Sequence, residues 1–331
     1  MQKEQHQSRK ELEKFRDAGV PRITRLPNYS DYRVEVVVDW IEFRITAAAS
    51  TNFNTVRKVD GISYAEALNE GPGRSATEFL VKCQDPESWD HVQKLLDRIS
   101  RKRSLASIPQ VTGIEIAADF YHPDRDKRLK MLAHLYHGCR PAQLQNHRFG
   151  TRIEFDEPDR KSRGSVFGVG AWQRDVIKGF RQDGLAWTLY IGNQGNRKKC
   201  INADSISQRF YDKVKDRQAP LPLEQCRARY ELTLQGQDLP FSTLNEVREF
   251  KFQSCQKVSQ WFKFRRLDDD RLTALNPLAR VGTEQLAQIG ARRPRRRPGG
   301  GARLYPAASR ANAELNDLLY ERLKSLTNRM K

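Results

Sequence analysis

Three acidic residues interrupt otherwise apolar, strand-like segments of this 331-residue sequence. Glu115 and Asp119 lie in VTGIEIAADFY, and Glu231 lies in RYELTL. Alternation along a strand places Glu115 and Asp119 on one face. A buried carboxylate is costly unless it is paired or bound to metal, and sites with only oxygen ligands suit Mg²⁺ or Mn²⁺. We therefore expect these three acids to hold a divalent metal; the alternative is that they face solvent from a half-exposed sheet.

Two further features fit the same chemistry. Asp39, in VVVDWIEF, is a fourth acid in an apolar strand. Tyr211, in RFYDK, lies between Arg209 and Lys213 and is a candidate nucleophile. A phenol has a pKa near 10 and attacks poorly at neutral pH, so it needs nearby cations or a metal-bound phosphate to favour the phenolate. By spacing alone, the favoured interpretation of Tyr211 is a structural, half-packed tyrosine whose hydroxyl meets water.

Histidine and cysteine patterns do not indicate a metal centre of another kind. His134 and His137 are three residues apart and could share a helical face, but this spacing alone is weak evidence for a metal, and a surface or partly buried pair is the favoured interpretation. The five cysteines are scattered and form no CxxC pair, so neither a zinc ribbon nor a disulfide framework is indicated. Free thiols are expected.

The net charge of +18, from 59 Lys and Arg against 41 Asp and Glu, favours a polyanionic partner. Nucleic acid is the first candidate, and a basic solvated surface is the alternative. An anionic membrane is not favoured, because no basic amphipathic helix with an aromatic face is evident. No apolar run approaches the roughly 20 residues that span a bilayer, and the N-terminal residues resemble no secretory signal, so a cytoplasmic location is expected.

Hydrophobic patterning predicts an α+β fold with a largely antiparallel sheet and flanking helices. The order of elements suggests two similar halves. The predicted strands are RVEVVVDWIEFRIT, TEFLVKC, VTGIEIAADFY, TRIEFDE, SVFGVG, AWTLYIG and CRARYELTLQG. The predicted helices cover ESWDHVQKLLDRISRK, residues 124–137, a segment from Asp204 or Ser205 to about Lys215, and LNEVREFKFQSCQKVSQWF after a cap at Ser242. Residues 50–75 are predicted to form a loop.

Composition divides the chain into four parts. A polar N-terminal extension (1–30) precedes a predicted catalytic domain (31–265), a basic linker rich in Arg, Pro and Gly (266–305) and an amphipathic C-terminal helix (306–331). The linker segment RRPRRRPGGGAR is expected to be disordered and either to clamp phosphates or to act as a solvated linker. The leucine stripe of the last helix, at 315, 318, 319, 323 and 326, is expected to pack on the same chain or on a second copy, so a homodimer is possible.

Several segments in order resemble the Rep_trans family of replication initiators and relaxases. They are VDWIEFRI, VTGIEIAADF, TLYIG, RFYDK and RYELTLQG. The resemblance as a whole covers roughly residues 33–262. The resemblance implies origin-specific nicking and rejoining of DNA during rolling-circle replication of a phage or plasmid-like element. It implies a 5′-phosphotyrosine intermediate and a free 3′-OH that primes the host replication machinery. The lack of a His-hydrophobe-His triplet is consistent with a metal held by acids.

By position, the resemblance makes Tyr211 the nucleophile and Glu115, Asp119 and Glu231 the metal ligands, with Mg²⁺ or Mn²⁺ as cofactor. Tyr190 of TLYIG is the second candidate nucleophile, because the segment before Tyr211 is longer than is usual in the family. Candidate DNA-binding residues are Arg197, Lys198, Lys199, Arg209, Lys213, Arg292, Arg293, Arg295, Arg296 and Arg297.

Two other functions are compatible with these features. One is a non-catalytic, sequence-specific DNA-binding protein or repressor built on the same sheet. The other is an RNA-binding module, suggested by the mixture of basic residues with Phe241, Phe250, Trp261, Phe262 and Phe264, although no RNP pattern is present.

Overall fold

A computed structural model describes residues 27–139, 149–153, 165–167, 187–192, 206–216, 219–236, 239–258, 261–267 and 309–331. The central feature is a nine-stranded antiparallel sheet with the strand order β2-β3-β1-β4-β11-β8-β7-β5-β6. Its strands are β1 Arg33–Asn52, β2 Tyr64–Ala67, β3 Ser75–Gln84, β4 Gln110–Tyr121, β5 Phe149–Ile153, β6 Ser165–Phe167, β7 Trp187–Gly192, β8 Ser207–Lys213 and β11 Arg227–Gln235. Two small antiparallel pairs accompany it: β9 Lys215–Asp216 with β10 Ala219–Pro220, and β12 Arg265–Leu267 with β13 Ser309–Ala311.

The described helices cover one face of the sheet or cap its loops. They are α1 Phe53–Arg57, α2 Trp89–Lys102, α3 Arg125–Gly138, α4 Leu244–Glu249, α5 Ser254–Val258 and α6 Ala313–Met330. Within the described ranges, single turns of 3-10 helix lie at Tyr29–Asp31, Pro72–Arg74 and Leu223–Gln225. This arrangement confirms the predicted α+β class with a large antiparallel sheet and a terminal helix. The similarity of two halves stays a prediction.

Strand alternation gives the central strands one apolar face. In β4 the side chains of Ile114, Ile116, Ala118 and Phe120 are at most 1% exposed and belong to the hydrophobic core. Cross-strand partners on β1 and β11 are also apolar, so the same face continues through three neighbouring strands. Helices α3 and α6 pack over this face.

The C-terminal helix packs on its own chain. Its leucines at 315, 319, 323 and 326 are fully buried in the core, and Leu318 packs partly buried against it. At the start of the helix, Asn312 accepts a hydrogen bond from the Leu315 N–H, and its amide donates to the Tyr29 hydroxyl at 2.6 Å. The apolar stripe is therefore covered within this chain. A homodimer stays a prediction.

The predicted helix from Asp204 or Ser205 to Lys215 is wrong, because residues 207–213 form strand β8. The sequence SQRFYDK alternates, and β8 pairs with β11 on one side and β7 on the other. The short segment gains two ladders of backbone hydrogen bonds in a strand, and Phe210 enters the core at 0% exposure. Arg209, Tyr211 and Lys213 consequently share one face.

The predicted long helix after Ser242 is also wrong in its extent. A capping box at Thr243 and Glu246 starts α4, but the chain becomes extended at Phe250 and resumes helical structure only in α5. Phe252 explains the break, because its ring packs against Phe250 and its N–H donates to Thr327 of α6 at 3.0 Å. The predicted loop over 50–75 contains α1 and β2.

Gly138 lies at the end of α3, where the sequence predicts the helix to stop. A Cβ atom there would lie 2.4 Å from the backbone oxygen of Arg265, so only glycine permits β12 to approach this closely. None of the described helices is both long enough and apolar enough to cross a lipid bilayer.

Candidate active site

Strand register brings acids from three strands to the face opposite the core. Glu231 of β11 lies across from Ala117 of β4, which is the residue midway between Glu115 and Asp119. On the other side of β4, the register of β1 shifts between Val38 and Trp40 and leaves Asp39 as an extra residue. Such a bulge re-aims a side chain, and it directs Asp39 toward the same place.

Asp39, Glu115 and Glu231 form what we term the acidic cluster. One carboxylate oxygen from each residue lies within 4.8 Å of the other two. All three side chains belong to buried residues, with exposures of 8%, 3% and 1%. A set of three carboxylates with no nitrogen or sulfur donor fits Mg²⁺ or Mn²⁺.

The predicted ligand Asp119 has a different environment. It accepts two hydrogen bonds from Arg229, Nε to Oδ1 and Nη2 to Oδ2, each at 2.6 Å, and Arg227 lies 3.1 Å away. This paired geometry engages both carboxylate oxygens. The structure thus brings Asp39 to the cluster and holds Asp119 against arginine.

Arg229 joins these two groups of acids. Its Nη1 donates to Asp39 Oδ1 at 2.7 Å and to Glu231 Oε1 at 3.4 Å, while its other edge binds Asp119. The side chain is only 3% exposed. Burial raises the pKa of Asp39, but the charges of Arg229 and Lys213 outweigh it, so the pKa of this carboxyl lies below its usual value.

Glu115 is disfavoured as a carboxylate by its surroundings. Burial, followed by repulsion from Glu231, raises its pKa to about 7, against the opposing effect of Arg209. Its Oε2 accepts a hydrogen bond from the Thr233 hydroxyl at 2.5 Å. A divalent cation beside this group would offset the repulsion between the two glutamates.

Tyr211 reaches the acidic cluster directly. Its hydroxyl donates to Glu231 Oε1 at 2.6 Å. Burial and the charge of Glu231 raise its pKa above the usual value, and Arg229 and Arg209 oppose that increase only in part. In this state the phenol is protonated, and its proton already points to a carboxylate that could accept it.

Arg209 and Lys213 flank Tyr211 on the same strand face. Arg209 Nη2 donates to Glu115 Oε1 at 3.0 Å and forms a short ion pair with Glu231 Oε2. Lys213 lies 3.0 Å from Asp216. On the opposite face of β8, Asp212 accepts two hydrogen bonds from Arg128 of α3, which fixes the strand to the helical layer.

The remaining predicted residues are less completely described. Tyr190 lies on β7, directly opposite Arg209 in the register, and the structure describes only its backbone. Eight candidates lie outside the described residues: Arg197, Lys198, Lys199, Arg292, Arg293, Arg295, Arg296 and Arg297.

Other sequence candidates have structural positions. His134 is buried, hydrogen-bonds Tyr29 at 2.8 Å, and has its pKa lowered to about 4 by burial. The His137 side chain lies outside the described residues. The aromatic residues that suggested RNA binding pack in or against the core: Phe241, Phe250, Trp261, Phe262 and Phe264. These rings are therefore not available as a base-stacking surface.

Sequence reasoning underweighted Asp39 and did not identify Arg229, Arg128 or Asp212. The acid in VVVDWIEF was visible, but the bulge that brings it to Glu231 depends on pairing with β4. Arg229 lies two residues before Glu231, so strand alternation places both on one face. That spacing was the signal that could have revealed it.

Comparisons with known proteins are sparse. No protein-family model and no curated protein matches the chain. Among solved structures, it is similar to a rolling circle replication initiator protein from Geobacillus stearothermophilus, over 90% of this chain and 99% of that chain. The identity is 14% and the TM-score is 0.33. Likeness at this level establishes neither a shared fold nor a shared activity.

Proposed function

We propose that this chain is a metal-dependent DNA nickase that initiates rolling-circle replication of a phage or plasmid-like element. One observation carries the proposal: the Tyr211 hydroxyl lies 2.6 Å from Glu231, a member of the acidic cluster. A nucleophile, a proton acceptor and a cation site then adjoin one another. The net charge of +18 supports a polyanionic substrate.

Asp39, Glu115 and Glu231 would hold Mg²⁺ or Mn²⁺. When bound, the ion would act as a Lewis acid on the scissile phosphate. The two oxygens of Glu231 have different surroundings that suit two tasks. Oε1 accepts the Tyr211 hydrogen bond, whereas Oε2 has an ion pair with Arg209 but no hydrogen bond among the described residues.

Tyr211 would attack the phosphorus in line. The bond from its hydroxyl oxygen to phosphorus forms as the bond from phosphorus to the 3′ oxygen breaks. The phenolic proton passes to Glu231, and the departing 3′ oxygen takes a proton from water. The product is a 5′-phosphotyrosine and a free 3′-OH for the host replication machinery, and attack by a 3′-OH reverses the step. Arg209 and Lys213 would hold neighbouring phosphates, as would the basic segments at 197–199 and 292–297.

A supercoiled plasmid carrying the cognate origin tests this function. With Mg²⁺ or Mn²⁺ followed by detergent, the wild-type chain should give open circles and protein covalently attached to DNA. Tyr211→Phe should abolish both, and Tyr230→Phe is a matched control because Tyr230 lies next to β8 but faces the core. Nicking that survives in Tyr211→Phe would reject this nucleophile and make Tyr190 the next candidate.

The second candidate is a non-catalytic DNA-binding protein. It is favoured by the two guanidinium groups that already neutralise the acidic cluster, and by the raised pKa of Tyr211. Such a protein would bind the origin with equal affinity with and without divalent metal, and it would form no covalent adduct. Origin binding without nicking at any Mg²⁺ or Mn²⁺ concentration would support this candidate over the enzyme.

A further inference from the structure

Among the residues that the structure describes, two arginines contact the acidic cluster, and they are held very differently. Arg229 is 3% exposed and is fixed by two hydrogen bonds to Asp119 at 2.6 Å. The Arg209 side chain is 32% exposed and contacts the cluster through one nitrogen, Nη2. Arg229 is thus part of the buried framework, whereas Arg209 reaches the cluster from the solvent side.

The Nη2 atom of Arg209 bridges two of the three clustered acids. It lies 3.0 Å from Glu115 Oε1 and forms a short ion pair with Glu231 Oε2. A divalent ion held by both glutamates would need the same space between these oxygens. The Arg209 Nη2 and the ion cannot both occupy this space, and their like charges add to the cost of bringing them together, so the two exclude each other there.

The environment of Glu231 Oε2 supports the replacement of the Arg209 guanidinium by a metal ion. The oxygen is inaccessible to solvent and contacts Arg209, but it accepts no hydrogen bond from the described residues. Arg209 therefore balances its charge without satisfying its lone pairs. A metal ion would use a lone pair that the guanidinium leaves unused.

We propose that Arg209 is a built-in counter-ion that occupies the metal position and is displaced when the metal binds. The inference rests on the metal site of the proposed function. Arg209 stabilises the glutamates when no metal is bound and raises the metal concentration needed to fill the site. Its release would move the side chain toward solvent, while the backbone pairing of β8 with β11 stays in place.

Direct Mn²⁺ binding without DNA tests this competition. The signal of free Mn²⁺ in electron paramagnetic resonance would be titrated at fixed pH and salt for the wild type, Arg209→Gln and Arg209→Lys. Arg44→Gln is the control, because Arg44 forms an exposed pair with Glu78 on the same sheet and does not contact the cluster. Circular dichroism would confirm that each variant is folded.

Arg209→Gln should bind Mn²⁺ about tenfold more tightly than the wild type, because it lacks the charge that competes with the ion for the glutamates, and a tenfold change lies within the usual range of coupling energies. Arg209→Lys should bind less tightly than Arg209→Gln, because it retains the competing charge, and Arg44→Gln should match the wild type. Unchanged or weaker binding by Arg209→Gln would overturn the inference, as would equal binding by the glutamine and lysine variants or no binding by any chain.

The result is separable from the proposed function. Tighter Mn²⁺ binding by Arg209→Gln in a chain that never nicks DNA would support the counter-ion role and reject the nickase. Tyrosine-dependent nicking with no change in Mn²⁺ affinity would support the nickase and reject the counter-ion role.

Discussion

In strand β11, both faces of the central sheet bury their side chains, but they stabilise them by different means. Glu231 and Leu232 are neighbours in β11, with exposures of 1% and 0%. Leu232 belongs to the hydrophobic core, whereas Glu231 contacts Tyr211, Arg209 and Arg229. Burial alone therefore does not distinguish a core residue from a candidate site residue.

The two faces differ in the interactions that must accompany the removal of their side chains from water. On the apolar face, removal from water is itself favourable, and close packing is sufficient. On the acidic face, each buried carboxylate loses its hydration and must be compensated by a cation or a hydrogen-bond donor. Replacing one residue on each face should therefore have opposite consequences for activity and stability.

The largest expected contrast is between Glu231→Gln and Leu232→Ala. Glu231→Gln should lower nicking by about 10²–10⁴-fold, the usual effect of losing a proton acceptor, with little loss of stability. Leu232→Ala should lower the free energy of unfolding by about 2–5 kcal/mol and leave nicking per folded molecule unchanged. Nicking assays on origin DNA measure the activity of both variants, and urea unfolding measures their stability. Full nicking by Glu231→Gln would remove Glu231 from the proposed mechanism.

The next largest expected effect is the loss of stability when Arg229, which pairs with the buried acids, is replaced. Arg229→Met should lower the free energy of unfolding by about 3–5 kcal/mol, because it leaves buried carboxylates uncompensated. The matched control Arg44→Met breaks the exposed pair with Glu78. It should change the free energy of unfolding by less than about 1 kcal/mol. Thermal or urea denaturation compares the two. Equal costs would mean that Arg229 does not hold the acidic face together.

A smaller effect is the pH dependence of stability that comes from His134 of helix α3. Burial lowers the pKa of His134 to about 4, so the folded chain binds fewer protons than the unfolded chain below pH 6.5. The contribution of neutral His134 is complete above pH 6.5 and is lost as pH falls toward 4, with roughly 2 kcal/mol lost by pH 5.

His134→Asn should remove this part of the pH dependence, because asparagine does not titrate. Urea unfolding of both chains between pH 7 and pH 5 measures the difference in slope. Parallel curves for the wild type and His134→Asn would show that His134 takes up its proton without unfolding the region.

The smallest expected effect is that of Tyr230→Phe, and it distinguishes the role of Tyr230 from that of Tyr211 on the adjacent strand. Tyr230→Phe removes the hydrogen bond from Gln208 at 2.8 Å on the apolar face and should lower the free energy of unfolding by about 1 kcal/mol. Its nicking activity should be unchanged, whereas Tyr211→Phe should be folded but inactive. Loss of nicking in both variants would mean that the assay reports folding and not the position of Tyr211.

Local patterns were sufficient for much of the fold. Alternation identified β3, β4 and β11 to within two residues and the first residue of β1, which continues six residues beyond its predicted end, and apolar spacing identified α2 and the terminal helix. Local patterns failed where long-range pairing competes with a weak local preference. The segment SQRFYDK was assigned to a helix, although its central residues pair with two strands.

The sequence by itself determined that acids interrupt apolar strands, that Tyr211 lies between cations and that the chain is strongly basic. Those properties follow from residue type and from the two-residue period of a strand. Only the tertiary structure decided which acids meet. The register shift in β1 brings Asp39 to Glu115 and Glu231, and bidentate pairing with Arg229 holds Asp119 apart from that cluster. Register depends on pairing between segments far apart in the chain, and no local spacing encodes it.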